Sequence, residues 1–173
     1  GTTFELKVQR PGVKKPLSFK ITRETIKVPQ VPYYGMLKPG IGYICLSGFA
    51  DGASREMKQA LIELKKQGAD RMVLDLRDNP GGSLDESVDI ANLFIPKGKK
   101  VVFTKGKMAS TNRDFYTAVE PVDSVMPLVV MVDGGTASSA EIVSGSLQDR
   151  DLAIVIGART FGKGFVQMIR ELP

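Results

Sequence analysis

The chain contains no histidine. That removes the imidazole from every Ser-His or Cys-His nucleophile pair, and with it the common histidine-bearing zinc sites. A single cysteine, Cys45, excludes an internal disulfide and a thiolate metal cluster; within the apolar stretch "GYICL" it reads as a small buried hydrophobe. No metal or cofactor is therefore expected. No apolar run approaches the roughly 18 residues of a membrane-spanning helix, no charged-then-apolar leader opens the sequence, and no internal repeat or low-complexity tract is present.

What remains is an ordinary composition of 173 residues, 42% hydrophobic and 25% charged. It suits one α/β core of about 120 to 150 residues with a small appendage. The formal net charge is +5. Its densest cluster is "KGKKVVFTKGK" (97–107), read as the solvated ends of a strand. No arginine-rich helix or aromatic stacking platform accompanies it, so no nucleic-acid partner is expected.

Residues 4–23 alternate apolar and polar in "FELKVQR" and "LSFKITR" around the turn-forming "PGVKKP", the pattern of a β-hairpin. Residues 24–40, with three prolines and "KPG", read as a linker into the next unit. Strands and helices then alternate. "GYICLSGF" reads as a strand, and "DGASREMKQALIELKKQGA" as a helix with Asp51 or Ser54 as cap and Gly68 as stop. "RMVLDLR" is a buried strand and "SLDESVDIANLF" an amphipathic helix. "KVVFT" and "PLVVMV" are strands, "SAEIVSGSLQD" is a helix and "LAIVIG" a strand. This rhythm predicts a sheet covered by helices, with loops at strand ends available for a site.

Three such loops join glycines to polar residues: "RDNPGGS", "DGGTASS" and "ARTFGKGF". Each has an innocent reading. Ser138 and Glu141 form the Ser-x-x-Glu of a capping box, which by itself starts a helix. "NPGG" alone is a tight turn, and Lys163 alone is a loop lysine. Taken together they suggest chemistry. Without histidine, a serine can be activated by a neutral lysine, and Lys163 lies between Phe161 and Phe165, an apolar setting that favours desolvation. Two N–H groups must hold the oxyanion. The candidates are Ser139, which follows the nucleophile, and Gly81 or Gly82 on the neighbouring loop. A valine at Gly82 is expected to depress turnover with the fold intact.

"LDLRDNPGG" (74–82), "GTASSAEIVSGSLQD" (135–149) and "GARTFGKGFVQ" (157–167), in this order, resemble the carboxyl-terminal processing (tail-specific) serine proteases over residues 32–170. The resemblance implies a Ser-Lys dyad with Ser138 as nucleophile, Lys163 as general base and Gln167 orienting the lysine. It implies a ClpP/crotonase-like core, residues 41–173, truncated at its C-terminus. Residues 1–28 then correspond to the closing hairpin of a PDZ domain and 29–40 to a linker. Substrates are expected to be proteins or peptides with exposed C-terminal tails. The location is expected to be periplasmic or extracytoplasmic, with a precursor that is membrane-anchored or exported. The chain departs from many members in reading Ser138-Ser139-Ala140-Glu141 where they read Ser-Ala-Ser-Glu. A non-catalytic peptide-binding or scaffold relative, or a crotonase-type acyl-CoA enzyme, is the alternative; the latter leaves "FGKG" without a task.

Overall fold

A computed structural model describes residues 1–167. The N-terminal segment is a β-hairpin of β1 (Thr3–Val8) and β2 (Leu17–Thr22), paired antiparallel from Thr3 opposite Thr22 to Val8 opposite Leu17. Neither strand joins the main sheet.

That sheet has five strands: β3 (Tyr33–Lys38), β4 (Ile41–Cys45), β5 (Arg71–Asp75), β8 (Leu128–Val132) and β9 (Ala153–Gly157), in the order β3-β4-β5-β8-β9. β3 pairs antiparallel with β4, and the other pairs are parallel. Parallel neighbours need crossovers. Helix α1 (Ala53–Lys66) joins β4 to β5, α2 (Leu84–Ala91) begins the path from β5 to β8, and α3 (Ser139–Gln148) joins β8 to β9. The path from α2 to β8 also contains a second hairpin, β6 (Lys100–Thr104) with β7 (Arg113–Tyr116).

The sheet alternates as a pleated strand must. Ile44, Met72, Leu74, Leu128, Val130 and Val132 point into one buried cluster, where they meet Met57, Leu61 and Leu64 of α1, Ile90 of α2, and Val143 and Leu147 of α3. Spacing of three and four residues puts each helix's apolar stripe on that side. Deleting a side chain of this cluster, such as Leu61 at 0% exposure, is expected to cost about 2 to 5 kcal/mol.

Two local readings need correction. Tyr33–Lys38, expected within a linker, is the edge strand β3, because Pro29 and Pro32 lie before it, Pro39 lies after it at the turn into β4, and the proline-free "YYGMLK" between them pairs with β4. Neither Asp51 nor Ser54 caps α1: the N-cap is Gly52, with φ of 91°. The orphan N–H groups of Gly52 and Ser54 donate instead to the two carboxylate oxygens of Glu86 on α2, each at 2.7 Å. A cap supplied across the fold leaves no trace in the helix's own sequence. Gly68 does end α1, with φ of 93° and its N–H on the Lys65 carbonyl.

Candidate active site

In a parallel sheet the loops at the carboxyl ends of the strands converge, and sites collect there. Here those loops follow β5 (76–83), β8 (133–138) and β9 (158–167), and hydrogen bonds join them. Thr136, fully buried, donates its hydroxyl to the Leu76 carbonyl at 2.7 Å and accepts from the Asp133 N–H at 2.9 Å. The Asp133 carboxylate accepts from the N–H groups of Asp78, Gly135 and Thr136. The Asp78 bond leads these contacts in holding its pKa below the usual range.

Asn79 is the second tie and is also fully buried. Its side chain donates to the Leu46 carbonyl at 2.7 Å and accepts from the Gly81 N–H at 2.9 Å. Its backbone carbonyl accepts from the Ala137 N–H at 2.9 Å. One residue thus links the end of β4, the "NPGG" loop and the turn that carries Ser138.

Ser138 is the N-cap of α3, with φ 55° and ψ −116°. An N-cap ordinarily has extended backbone, and this left-handed conformation costs a non-glycine residue on the order of 1–3 kcal/mol. A sharp strand-to-helix turn of this kind lifts a serine hydroxyl out of the backbone. The Ser138 N–H donates to Glu141 Oε2 at 2.8 Å, so the glutamate half of the capping box is formed.

The adjacent serine is arranged differently. Ser139 is 1% exposed, and its hydroxyl donates toward the carbonyls of Gly82 at 2.9 Å and Ser83 at 3.1 Å. It therefore pins the glycine loop against the start of α3, while Ser138 is half-buried. The glycine loop comes close enough that a Cβ on Gly81 would lie 2.7 Å from the Ala137 carbonyl oxygen, 2.8 Å from the Ser139 nitrogen and 2.9 Å from Ser138 Cβ. The Gly81 N–H is committed to Asn79. Among the described residues the Gly82 and Ser139 N–H groups make no hydrogen bond, leaving two amides beside the Ser138 turn without an internal acceptor.

The segment after β9 is fastened by one carboxylate. Glu141 Oε1 accepts from the Thr160 hydroxyl and the Gly162 N–H, both at 2.7 Å; Oε2 accepts from the Lys163 N–H at 2.9 Å in addition to Ser138. Burial alone would raise the Glu141 pKa, but the bonds from Thr160, Gly162, Ser138 and Lys163 outweigh it and hold the group below the usual carboxylate range. The Phe161 N–H adds a bond to the Thr136 carbonyl. After this anchor, residues 164–167 have no regular structure. The Lys163 ammonium lies 5.5 Å from the Phe165 ring centroid, and Gln167 is exposed. Among the described residues no hydrogen bond joins Lys163 to the Ser138 hydroxyl or to Gln167. The backbone N–H of Lys163 is thus brought to the same carboxylate oxygen as that of Ser138, at the start of α3, while the Lys163 ammonium sits over the Phe165 ring.

A cluster absent from the sequence reading lies just before the glycine loop. Asp75, 4% exposed, accepts from the Tyr43 hydroxyl at 2.6 Å and from Arg77 Nε and Nη2, the latter at 2.6 Å. Burial works to raise the Asp75 pKa, and the Arg77 and Tyr43 bonds overcome it, so the carboxyl is held low. Burial, followed by the bond to Asp75, pushes the Tyr43 phenol up to about 12. "LDLR" held the signal, an acid and an arginine two apart and so on one side of an extended chain. A cleft of about 1370 Å³ opens beside Gly81, Gly82 and Ser83, with Thr25–Val28 along one wall and Phe49–Gly52 along another.

A strained serine at a helix start, a glycine loop in contact with it and two unengaged amides form the arrangement of a serine hydrolase that passes through a tetrahedral oxyanion. Sequence comparison gives the family. The chain belongs to peptidase family S41, whose profile matches residues 40–173. It is 40% identical over 174 residues to the carboxyl-terminal-processing protease of Synechocystis sp., covering 99% of this chain and 40% of that protein. It is 38% identical over 176 residues to the carboxy-terminal-processing protease of Bartonella bacilliformis, with the same coverage. The solved photosystem II D1 C-terminal processing protease superimposes with a TM-score of 0.72 at 31% identity, over 99% of this chain and 47% of that one. The chain thus spans less than half the length of these relatives.

Proposed function

We propose that this chain carries the catalytic centre of a serine endopeptidase that cuts proteins near their C-terminal tails through a Ser138–Lys163 dyad. The observation that carries the reading is the strained Ser138 beside the unengaged N–H groups of Ser139 and Gly82. The Ser138 oxygen attacks the scissile carbonyl carbon while the neutral Lys163 amine takes its proton. The carbonyl oxygen, now an anion, is held by the Ser139 and Gly82 amides, with the N-terminus of α3 adding its dipole. The lysine returns the proton to the departing amine, leaving an acyl-serine. Water, deprotonated by the same lysine, then releases the acid. Gln167 orients the lysine once its side chain has swung toward Ser138.

The hairpin β1–β2 is, in this reading, the end of a PDZ domain that captures substrate tails, and the core belongs to the ClpP/crotonase group. The family resemblance supports an exported enzyme acting in a periplasmic or other extracytoplasmic space. The test uses the full-length protease and a peptide substrate. Ser138→Ala and Lys163→Arg are each expected to abolish turnover, because the first removes the nucleophile and the second replaces the base with a group that releases no proton at usable pH. Ser139→Ala keeps the backbone amide and is expected to retain activity. Normal turnover in either of the first two variants would overturn the dyad.

A further inference from the structure

The cluster "KGKKVVFTKGK" has no part in the proposed chemistry, yet residues 97–116 contain six of the chain's 24 basic residues and one of its 19 acidic ones. The net charge of this stretch, +5, equals that of the whole chain, so the remaining residues are balanced. The stretch forms the β6–β7 hairpin, outside the five-stranded sheet. Its single acid, Asp114, is paired with Lys100 at 3.1 Å. Lys97, Lys99, Lys105, Lys107 and Arg113 are exposed and, among the described residues, form no salt bridge.

The hairpin has a rigid base and a mixed outer surface. Val101 packs on the core, and Val102 and Phe115 are half-buried. The buried side chain of Asn92 donates to the Val119 carbonyl at 2.7 Å and accepts from the N–H groups of Ala118 and Val119. The strand ends are joined by Thr117, which accepts from the Lys99 N–H and donates to the Pro96 carbonyl. Phe103 and Tyr116 remain 61% and 49% exposed, with the Lys100 ammonium 6.0 Å and 5.9 Å from their ring centroids. Met108, in the connecting loop, is 55% exposed.

We propose that this face docks on an anionic lipid bilayer. Aromatic and thioether side chains enter the boundary between headgroups and acyl chains, while lysines on flexible stems keep their ammonium groups among the lipid phosphates. Five of the six cations are lysines, which suit diffuse headgroup charge better than the forked recognition of a single phosphate. Two rings, Phe103 and Tyr116, are exposed and share one ammonium, while Phe115 is half-buried beneath the Arg113 guanidinium, an arrangement that disfavours a stacking track for nucleic-acid bases. The proposal does not depend on proteolytic activity.

The test is sedimentation of this chain with vesicles of equimolar phosphatidylglycerol and phosphatidylcholine, and with vesicles of phosphatidylcholine alone. Binding is expected to the first and not the second, and to weaken as salt is raised. Combined Lys105→Glu and Lys107→Glu substitution is expected to lower the partition coefficient at least about tenfold, because each reversal turns an attraction into a repulsion. Phe103→Ser is expected to lower it several-fold at constant charge. All three side chains are exposed, and an unchanged circular dichroism spectrum verifies folding. Equal partition onto the two vesicle types, or full binding by the charge-reversed variant, would overturn the proposal. So would displacement of the chain from anionic vesicles by a single-stranded oligonucleotide that binds the same face more tightly.

Discussion

Replacing Glu141 with glutamine tests whether one carboxylate fastens the lysine segment to the serine turn. The carboxylate accepts four hydrogen bonds, two at each oxygen. Glutamine keeps one acceptor oxygen. If that oxygen serves Thr160 and Gly162, the amide NH₂ faces the N–H groups of Ser138 and Lys163, donor against donor. Hydrogen bonds to a charged group typically contribute about 1.5–3 kcal/mol each, so two lost bonds remove roughly 3–6 kcal/mol before water compensates. Partial exposure lets water restore some of this, leaving about 2–3 kcal/mol favouring release of the segment. Amide exchange at Gly162 and Lys163 should therefore accelerate about 30- to 150-fold, while Leu74 and Val130 in the core keep their rates. Hydrogen exchange read by NMR or mass spectrometry reports both. Unchanged exchange at Gly162 and Lys163 in Glu141→Gln would refute the latch. The pH dependence has a definite sign. Glu141 has a lowered pKa in the folded state, so its contribution is fully present above the ordinary carboxylate value and is lost as pH falls through the folded one. The segment should loosen in acid, below about pH 4, and not in base.

The expectation that Gly82→Val spares the fold needs revision, because Gly82 has φ of 153° and a Cβ there would lie 2.6 Å from the Phe49 carbonyl oxygen. Even Gly82→Ala is expected to cost about 2–4 kcal/mol, lowering the melting temperature by roughly 5–15 °C in thermal circular dichroism; Gly134→Ala, whose Cβ meets only the Arg159 carbonyl at 4.0 Å, should leave it unchanged. In an ultraviolet absorbance titration one of the four tyrosines should ionise near pH 12, a step assigned to Tyr43, and Asp75→Asn should bring it down by removing the carboxylate that receives the phenol. A Tyr43→Phe variant that keeps the late step would refute the assignment. Ser138→Gly should raise the melting temperature of this chain, since glycine adopts φ of 55° without strain; a lowered value would show that the turn is not strained.

Much of the fold was legible in the sequence because local pattern and global packing agree. The apolar runs "RMVLD" and "LVVMV" became the central parallel strands, and the spacing of Met57, Ala60, Leu61 and Leu64 gave the buried stripe of α1. β3 escaped because six residues at a sheet edge, behind a proline-rich stretch, carry little alternation of their own. β7 escaped for a related reason: four residues give too short a period to read. The Glu86 cap of α1 and the Asn79 ties join residues more than 30 positions apart, and no local pattern encodes them. The glycines and serines of the site were visible as residue types. The division of labour between Ser138 and Ser139, and between Gly81 and Gly82, was not, since it depends on which groups already have partners in the folded chain.

The two readings of Ser138, helix cap and nucleophile, are not competitors in this structure. A cap needs only extended backbone at its own position and an oxygen near the first turn. Nothing in that task calls for φ of 55° and ψ of −116°. The strain must be offset by contacts that hold the turn from both sides. Before the serine, the Ala137 N–H is fixed to the Asn79 carbonyl; at the serine, the N–H is fixed to Glu141; after it, the Ser139 hydroxyl is fixed to the glycine loop. Glu141 serves both purposes, because the carboxylate that completes the capping box also receives the N–H of Lys163. In this chain the capping motif therefore aims the serine and brings the lysine segment toward it. Of the three contacts, the one made by Ser139 uses a hydroxyl that an alanine at this position would lack, so Ser139 adds a tie between the Ser138 turn and the glycine loop and, in the proposed mechanism, still offers its backbone amide to the oxyanion.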